Sequence, residues 1–255
     1  MSKRGQVTIF IIIAIVIAAV LLVVFYPRIK IAFVPSTPSI RLQDCVEDKL
    51  KETVQAMAKR GGSVEPENSI MYNDEKVEYL CYTNQYYKTC VMQQPLLKQH
   101  METGILEEIT PTVKSCMESM KENLAGKGYS VSGAGEEISV EIVPENIKVA
   151  VSGISFVKAD TGESYEKFEI KQKSKLYDLI ILTTNILNWE ARYGDFDIAS
   201  QMLIYPSIKV EKYKQGDGSK IYMLTDRLTG ESFTFASRSL SWPAGYGFGQ
   251  EHVPS

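Results

Sequence analysis

The chain has 255 residues, 44% of them hydrophobic and 23% charged, with 28 Lys+Arg against 31 Asp+Glu. The first 30 residues hold four of the cations and none of the acids, so the remainder carries 24 against 31, a net charge of −7. That balance speaks against nucleic acid or an anionic membrane surface as partners of the remainder, whose length of about 225 residues suffices for one large domain or two small ones with a core.

Residues 7–25 read VTIFIIIAIVIAAVLLVVF, an apolar run interrupted only by Thr8. At about 1.5 Å of helical rise per residue it matches the roughly 30 Å hydrocarbon layer of a bilayer. No small-residue cleavage site follows a shorter apolar core, so the segment reads as a signal anchor. Tyr26 suits the interface, and Arg28 and Lys30 suit snorkelling cations. Lys3, Arg4 and the terminal amine tip the count toward a cytoplasmic N-terminus. Residues 1–30 are thus read as a short stub and single transmembrane helix, 31–40 as a linker containing two prolines, and 41–255 as an extracytoplasmic domain, with a subdivision near residue 130 where the period of the pattern changes.

A helix is predicted next, because Leu42, Cys45, Val46, Leu50, Val54 and Met57 recur at three- and four-residue spacing, and Gly61 and Gly62 stop it. Residues 63–95 read as short strands and a loop rich in tyrosine. Helical pattern returns over 94–108, and a separate helix is expected after Thr110 as N-cap and Pro111 at its first position, carrying Val113, Cys116, Met117, Met120 and Leu124 on one face. The period then becomes two: Ile138, Val140 and Ile142, followed by Ile147, Val149 and Val151, flank a polar turn at 144–146. A further strand is read over YEKFEI at 165–170. Residues 176–189, LYDLIILTTNILNW, are too short and too polar to span a membrane and read as a buried helix against the sheet. Ile208, Val210, Ile221 and Met223 flank a Gly/Asp turn at 215–219, and Phe233, Phe235 and Leu240 continue the alternation beyond a second turn at 228–231. The fold class expected is α+β: a transmembrane helix, then a disulfide-stabilised ectodomain with antiparallel sheet and packed helices.

The cysteines are Cys45, Cys81, Cys90 and Cys116. Four allow three pairings. Cys81 and Cys90 are close across a segment able to turn back, which leaves Cys45 for Cys116 as a staple between two helices. None of the spacings resembles a zinc site, and no metal or other cofactor is expected. Disulfides fit an extracytoplasmic setting.

Chemistry is sparse. A Ser-His-Asp or Cys-His site needs a positioned histidine, and the chain has only His100 and His252. Phosphate loops are absent, and Gly245, Gly247 and Gly249 follow no strand leading into a helix. The chain is therefore not expected to be an enzyme. Exposed aromatics are the binding candidates: Tyr82, Tyr86 and Tyr87 near the close cysteine pair, and Trp242 and Tyr246 near the C-terminus.

The string Lys3-Arg4-Gly5-Gln6-Val7-Thr8-Ile9-Phe10, basic residues and a glycine directly before a long apolar helix, resembles the class III signal of archaeal type IV pilin-like proteins. The resemblance covers about the first 26 residues. It implies a prepilin-type peptidase as partner, cutting between Gly5 and Gln6, and self-association through the first helix. The expected function is a membrane-anchored cell-surface structural or adhesive protein, a pilin-like filament subunit in one form; the alternative is a tethered module binding a protein or glycan, or a surface hydrolase. The lipid bilayer is the expected partner in each case, and nucleic acid is not.

Overall fold

A computed structural model of the chain describes residues 38–159 and 161–241, together with Ile17, which is helical and about half exposed. The expected anchor over residues 7–25 otherwise lies outside the described residues, as do Gly5, Gln6, His252 and the Trp242 and Tyr246 candidates. Among the described residues no helix is long and apolar enough to cross a membrane.

The chain opens with α1 (Pro38–Lys59), which starts inside the stretch read as a linker. Leu42, Val46, Leu50 and Met57 are each at most 1% exposed, and the charged face points to water. Gly61 ends the turn at φ +90°, and a Cβ there would stand 2.7 Å from the Glu78 Cβ, so only glycine fits. Three strands follow: β1 (Ser69–Tyr72), β2 (Glu75–Tyr82) and the short β3 (Val91–Met92).

Helix α2 (Leu97–Ala125) corrects the sequence reading of two helices separated at Pro111, because it runs through that proline. The reason is burial. Leu97, Met101, Ile105, Ile109, Val113, Cys116, Met117, Met120 and Leu124 form one uninterrupted buried stripe. Each such side chain contributes about 1.5–3 kcal/mol, and together they outweigh the roughly 3 kcal/mol an interior proline costs. Thr110 is not a cap; its hydroxyl donates back to the Leu106 carbonyl at 2.6 Å.

Strands β4 (Tyr129–Val143) and β5 (Asn146–Lys158) form the long hairpin expected from their alternation, with Glu145 at φ +67° in its turn. The single strand read over 165–170 is two pieces, β6 (Glu163–Tyr165) and β7 (Phe168–Lys173), both paired to the same side of the hairpin through β5. Phe168 and Ile170 face inward where they meet Val151 and Val149, which sets the second register.

Helix α3 (Leu176–Tyr193) is the buried helix foreseen from its composition. Its N-terminus is held from the side, since Glu231 accepts from the Ser174 hydroxyl at 2.6 Å and from the Lys175 amide at 2.9 Å. A short α4 (Ile198–Ile204), unforeseen in the sequence, leads to the meander β8 (Ile208–Lys214), β9 (Ser219–Asp226) and β10 (Ser232–Arg238).

Two sheets result. The six-stranded sheet runs β1-β2-β10-β9-β8 with β3 beside β2, and the four-stranded sheet has β5 at its centre. Among the described residues strand pairing is antiparallel except between β2 and β10, which lie parallel, so the larger sheet is mixed where an antiparallel one was expected. Helices α1, α2 and α3 and the inner faces of both sheets share one hydrophobic core. The opposite face of the larger sheet carries a small satellite cluster of Val77, Tyr79, Ile221 and Ala236. The fold is α+β and carries two disulfides, Cys45–Cys116 between α1 and α2 and Cys81–Cys90 from β2 to the residue just before β3.

Candidate binding surface

The Cys81–Cys90 bridge closes a nine-residue separation around YTNQYYKT. This loop is strapped to the chain after β10: the Thr83 amide donates to the Arg238 carbonyl at 2.9 Å, the Tyr87 amide to the Leu240 carbonyl at 2.8 Å, and the Leu240 amide to the Lys88 carbonyl at 3.0 Å. Arg238 adds a bond to the Thr83 carbonyl at 3.0 Å and lies over the Tyr82 ring. The loop is therefore fixed at both ends and in the middle.

Its tyrosines differ. Tyr82 is half-buried and packs edge-on against Tyr79, so it belongs to the satellite cluster. Tyr86 and Tyr87 are 75% and 80% exposed. Tyr87 also sits at φ +63°, the left-handed region, where a bulky side chain is an outlier at a cost of about 1–2 kcal/mol. Fixed backbone, strained geometry and solvent-facing rings together describe a displayed aromatic pair.

The strap leads from the loop to the C-terminal end of α3. Ser239 Oγ accepts from the Cys90 amide at 3.1 Å and donates to the Glu190 carbonyl at 3.3 Å. On that end of α3, Trp189 and Tyr193 pack at a tilt of 40° with ring centres 4.7 Å apart and remain 49% and 41% exposed. Their four-residue spacing on one helix face is the signal that could have found them in the sequence.

Beneath lies a buried ionic cluster. Glu190 continues the inward stripe of Thr183, Ile186 and Leu187 and is fully buried. It accepts from Lys220 Nζ at 2.7 and 2.9 Å, from the Tyr222 hydroxyl at 2.5 Å and from Ser237 Oγ at 3.0 Å. Gly194, left-handed at φ +81°, caps the helix, and Lys220 also donates to its carbonyl at 2.6 Å, where the helix dipole favours a cation. Asp195, next in the chain, takes Lys212 Nζ at 3.0 Å and Lys220 Nζ at 3.2 Å on the same oxygen, Oδ1. Its Oδ2 is buried and accepts no hydrogen bond among the described residues; Lys214 Nζ stands 3.9 Å away. Tyr222 stacks on Phe235 and meets Phe196 edge-on, giving the cluster an aromatic wall. Burial pushes the Lys212 amine below its ordinary range, against the pull of Asp195, and burial beside Glu190 pushes the Tyr222 hydroxyl far up. The cluster fixes the end of α3 to β8, β9 and β10.

Two other arrangements bring together groups capable of chemistry. Ser63 Oγ lies 2.9 Å from His100 Nε2, a contact not foreseen, and buried Glu78 stands beside them. Among the described residues no carboxylate accepts from the His100 imidazole, so the third group that would orient a catalytic histidine is missing. A cleft of about 390 Å³ at the N-terminal end of α3 is lined by Lys175, Tyr177, Ile181, Tyr205, Asp226 and Leu228, among others. Asp226 is committed there: despite burial, which would raise it, bonds from Thr229 and Leu228 hold its carboxyl below the usual value. No group of three or more His, Cys, Asp or Glu suited to a metal ion occurs among the described residues.

No protein-family model, curated protein or solved structure matches the chain. Function therefore rests on the site itself.

Proposed function

We propose that the protein is a membrane-anchored cell-surface protein of structural or adhesive type, whose disulfide-closed domain presents Tyr86 and Tyr87 to a macromolecular partner. The observation that carries this reading is Tyr87, held at φ +63° by a strapped loop while its ring is 80% exposed. A chain that merely needed to turn would place Gly or Asn there. Tyrosines on a rigid frame lose little side-chain entropy on binding and offer both an apolar face and a hydroxyl, which suits protein and glycan surfaces. Two disulfides and the net charge of −7 after residue 30 support an oxidising, extracytoplasmic setting and a partner other than nucleic acid.

The test uses the full-length chain in its native membrane, with a photo-crosslinking phenylalanine analogue at position 86 or 87. Light should yield a discrete adduct from both positions and none from the equally exposed Leu228. Adducts no more frequent at 86 and 87 than at 228 would remove the loop from consideration. Sequencing the N-terminus of the same preparation separates the two anchored forms: a start at Gln6 makes it a processed pilin-like subunit, and a start before Gly5 makes it a permanent signal anchor.

A further inference from the structure

We propose that Lys212 and Asp195 condense within the folded domain to an intramolecular amide, a covalent bond joining β8 to the segment after α3. The pair is 97% enclosed on each side, with Nζ 3.0 Å from Oδ1. Ion pairing alone accounts poorly for it. Two lysines and two carboxylates are withdrawn from water here, and one carboxylate oxygen, Asp195 Oδ2, has no hydrogen bond among the described residues. Such burial without full satisfaction is costly for ions.

Passing one proton from Lys212 to Oδ2 of Asp195 leaves a neutral amine facing a neutral carboxylic acid whose carbonyl oxygen is Oδ1, the forms a dry site favours over two ions. The amine nitrogen then attacks Cγ. As the C–N bond forms, the C=O electron pair moves onto Oδ1, where the Lys220 ammonium, 3.2 Å away and held in place by Glu190, stabilises it. A proton passes from the nitrogen to Oδ2, the Cγ–Oδ2 bond breaks, the C=O bond re-forms and one water leaves. No oxidant or co-reactant is needed. Amide formation is unfavourable between separate molecules in water, but a fixed pair gains an effective concentration of about 10⁵–10⁸ M, and the aromatic wall keeps water from returning.

The product fits the surrounding groups better than the reactants do. The new amide N–H retains the Phe196 carbonyl, which Nζ already meets at 2.8 Å, and the amide oxygen retains Lys220. The atom expelled is Oδ2, the oxygen that accepts no hydrogen bond among the described residues. Lys220 is set apart from the reaction by its two bonds to Glu190, so Lys212 is the nucleophile.

The measurement is mass spectrometry of the full-length chain, reduced and alkylated, both intact and after digestion. The expected result is a mass one water below that of the sequence and a branched peptide joining Lys212 to Asp195, with no trypsin cleavage after Lys212. Lys212→Arg and Asp195→Ala should restore the full mass, and Glu190→Gln, which loosens Lys220, should slow the conversion while Glu190→Asp partly restores its rate. Full mass with two separate linear peptides from the unmodified chain overturns the proposal, whatever the variants do. A branch at Lys220 would overturn the assignment of the nucleophile.

Discussion

Opening the Cys45–Cys116 bridge is the sharpest test of how the helical layer is held. The two cysteines are 71 residues apart in sequence, and in the chain-entropy account closing a loop of that length removes about 4.4 kcal/mol of denatured-state entropy at 25 °C. For Cys81–Cys90, nine residues apart, the same account gives about 2.6 kcal/mol. Exposure also separates them: Cys45 is on the solvent side of α1, whereas Cys81 and Cys90 are 0% and 3% exposed. A mild reductant should therefore open the α1–α2 bridge first, and alkylation of the folded protein should label Cys45 before the other pair. Cys45→Ala/Cys116→Ala should lower the stability by about 4 kcal/mol, read as an earlier urea midpoint by far-ultraviolet circular dichroism at similar slope. A loss below about 1 kcal/mol would refute the reasoning, because it would mean that α1 and α2 stay together in the unfolded chain without the bridge. Labelling of Cys81 and Cys90 ahead of Cys45 would refute the accessibility half.

Glu190→Ala leaves Lys220 and the Tyr222 hydroxyl buried without their main acceptor and should cost about 3–5 kcal/mol in urea unfolding, while adding Lys220→Met should recover most of it. Glu78 is a carboxyl whose pKa is raised above its ordinary value of 4.5, chiefly by burial and against the pull of the neighbouring Ser63, His100 and Gln94. A raised carboxyl means the folded state holds its proton longer, so stability is present below pH 4.5 and lost as pH rises through the folded value. Glu78→Gln should accordingly be more stable than the parent at pH 7, with the advantage fading in acid; a constant difference across pH would contradict the assignment. Gly61→Ala forces φ +90° on a residue with a Cβ and drives that carbon to 2.7 Å from Glu78, so its thermal midpoint should fall by an amount worth about 1–3 kcal/mol.

Much of this architecture was legible as period and punctuation. Helix α1 and its glycine stop, the hairpin of β4 and β5, buried α3 and the turn between β8 and β9 all follow from spacing and turn chemistry. The pairing of Cys45 with Cys116 and of Cys81 with Cys90 is legible in the short reach between Cys81 and Cys90, which leaves the other two for each other. Pro111 misled because local propensity was set against a stripe of nine buried side chains, whose sum only tertiary packing reveals. The parallel pairing of β2 with β10 is non-local and leaves no short-range mark. The aromatic loop was visible as a cluster of tyrosines, but which of them face water depends on Tyr79 and Arg238 holding Tyr82. The ionic cluster was legible in principle: Ile208, Val210 and Lys212 share one face of β8, Lys220, Tyr222 and Leu224 one face of β9, and Glu190 sits on the apolar stripe of α3. Three charges at inward positions of neighbouring elements are a sequence pattern that a search for catalytic motifs passes over.

The placement of β10 between β2 and β9 dictates an order of events during biosynthesis. Strands β4 to β7 pair with near neighbours in sequence and can assemble as soon as Lys173 has been made. β2, by contrast, must wait with its inner edge open until Arg238 arrives to meet Tyr82. Across that interval an unpaired strand edge and the two thiols of Cys81 and Cys90 are available to other chains. Closing the small loop early would shield the sulfurs while leaving the edge for its proper strand, so oxidation of the nearer pair before the last strand docks would protect this protein from mispairing with copies of itself.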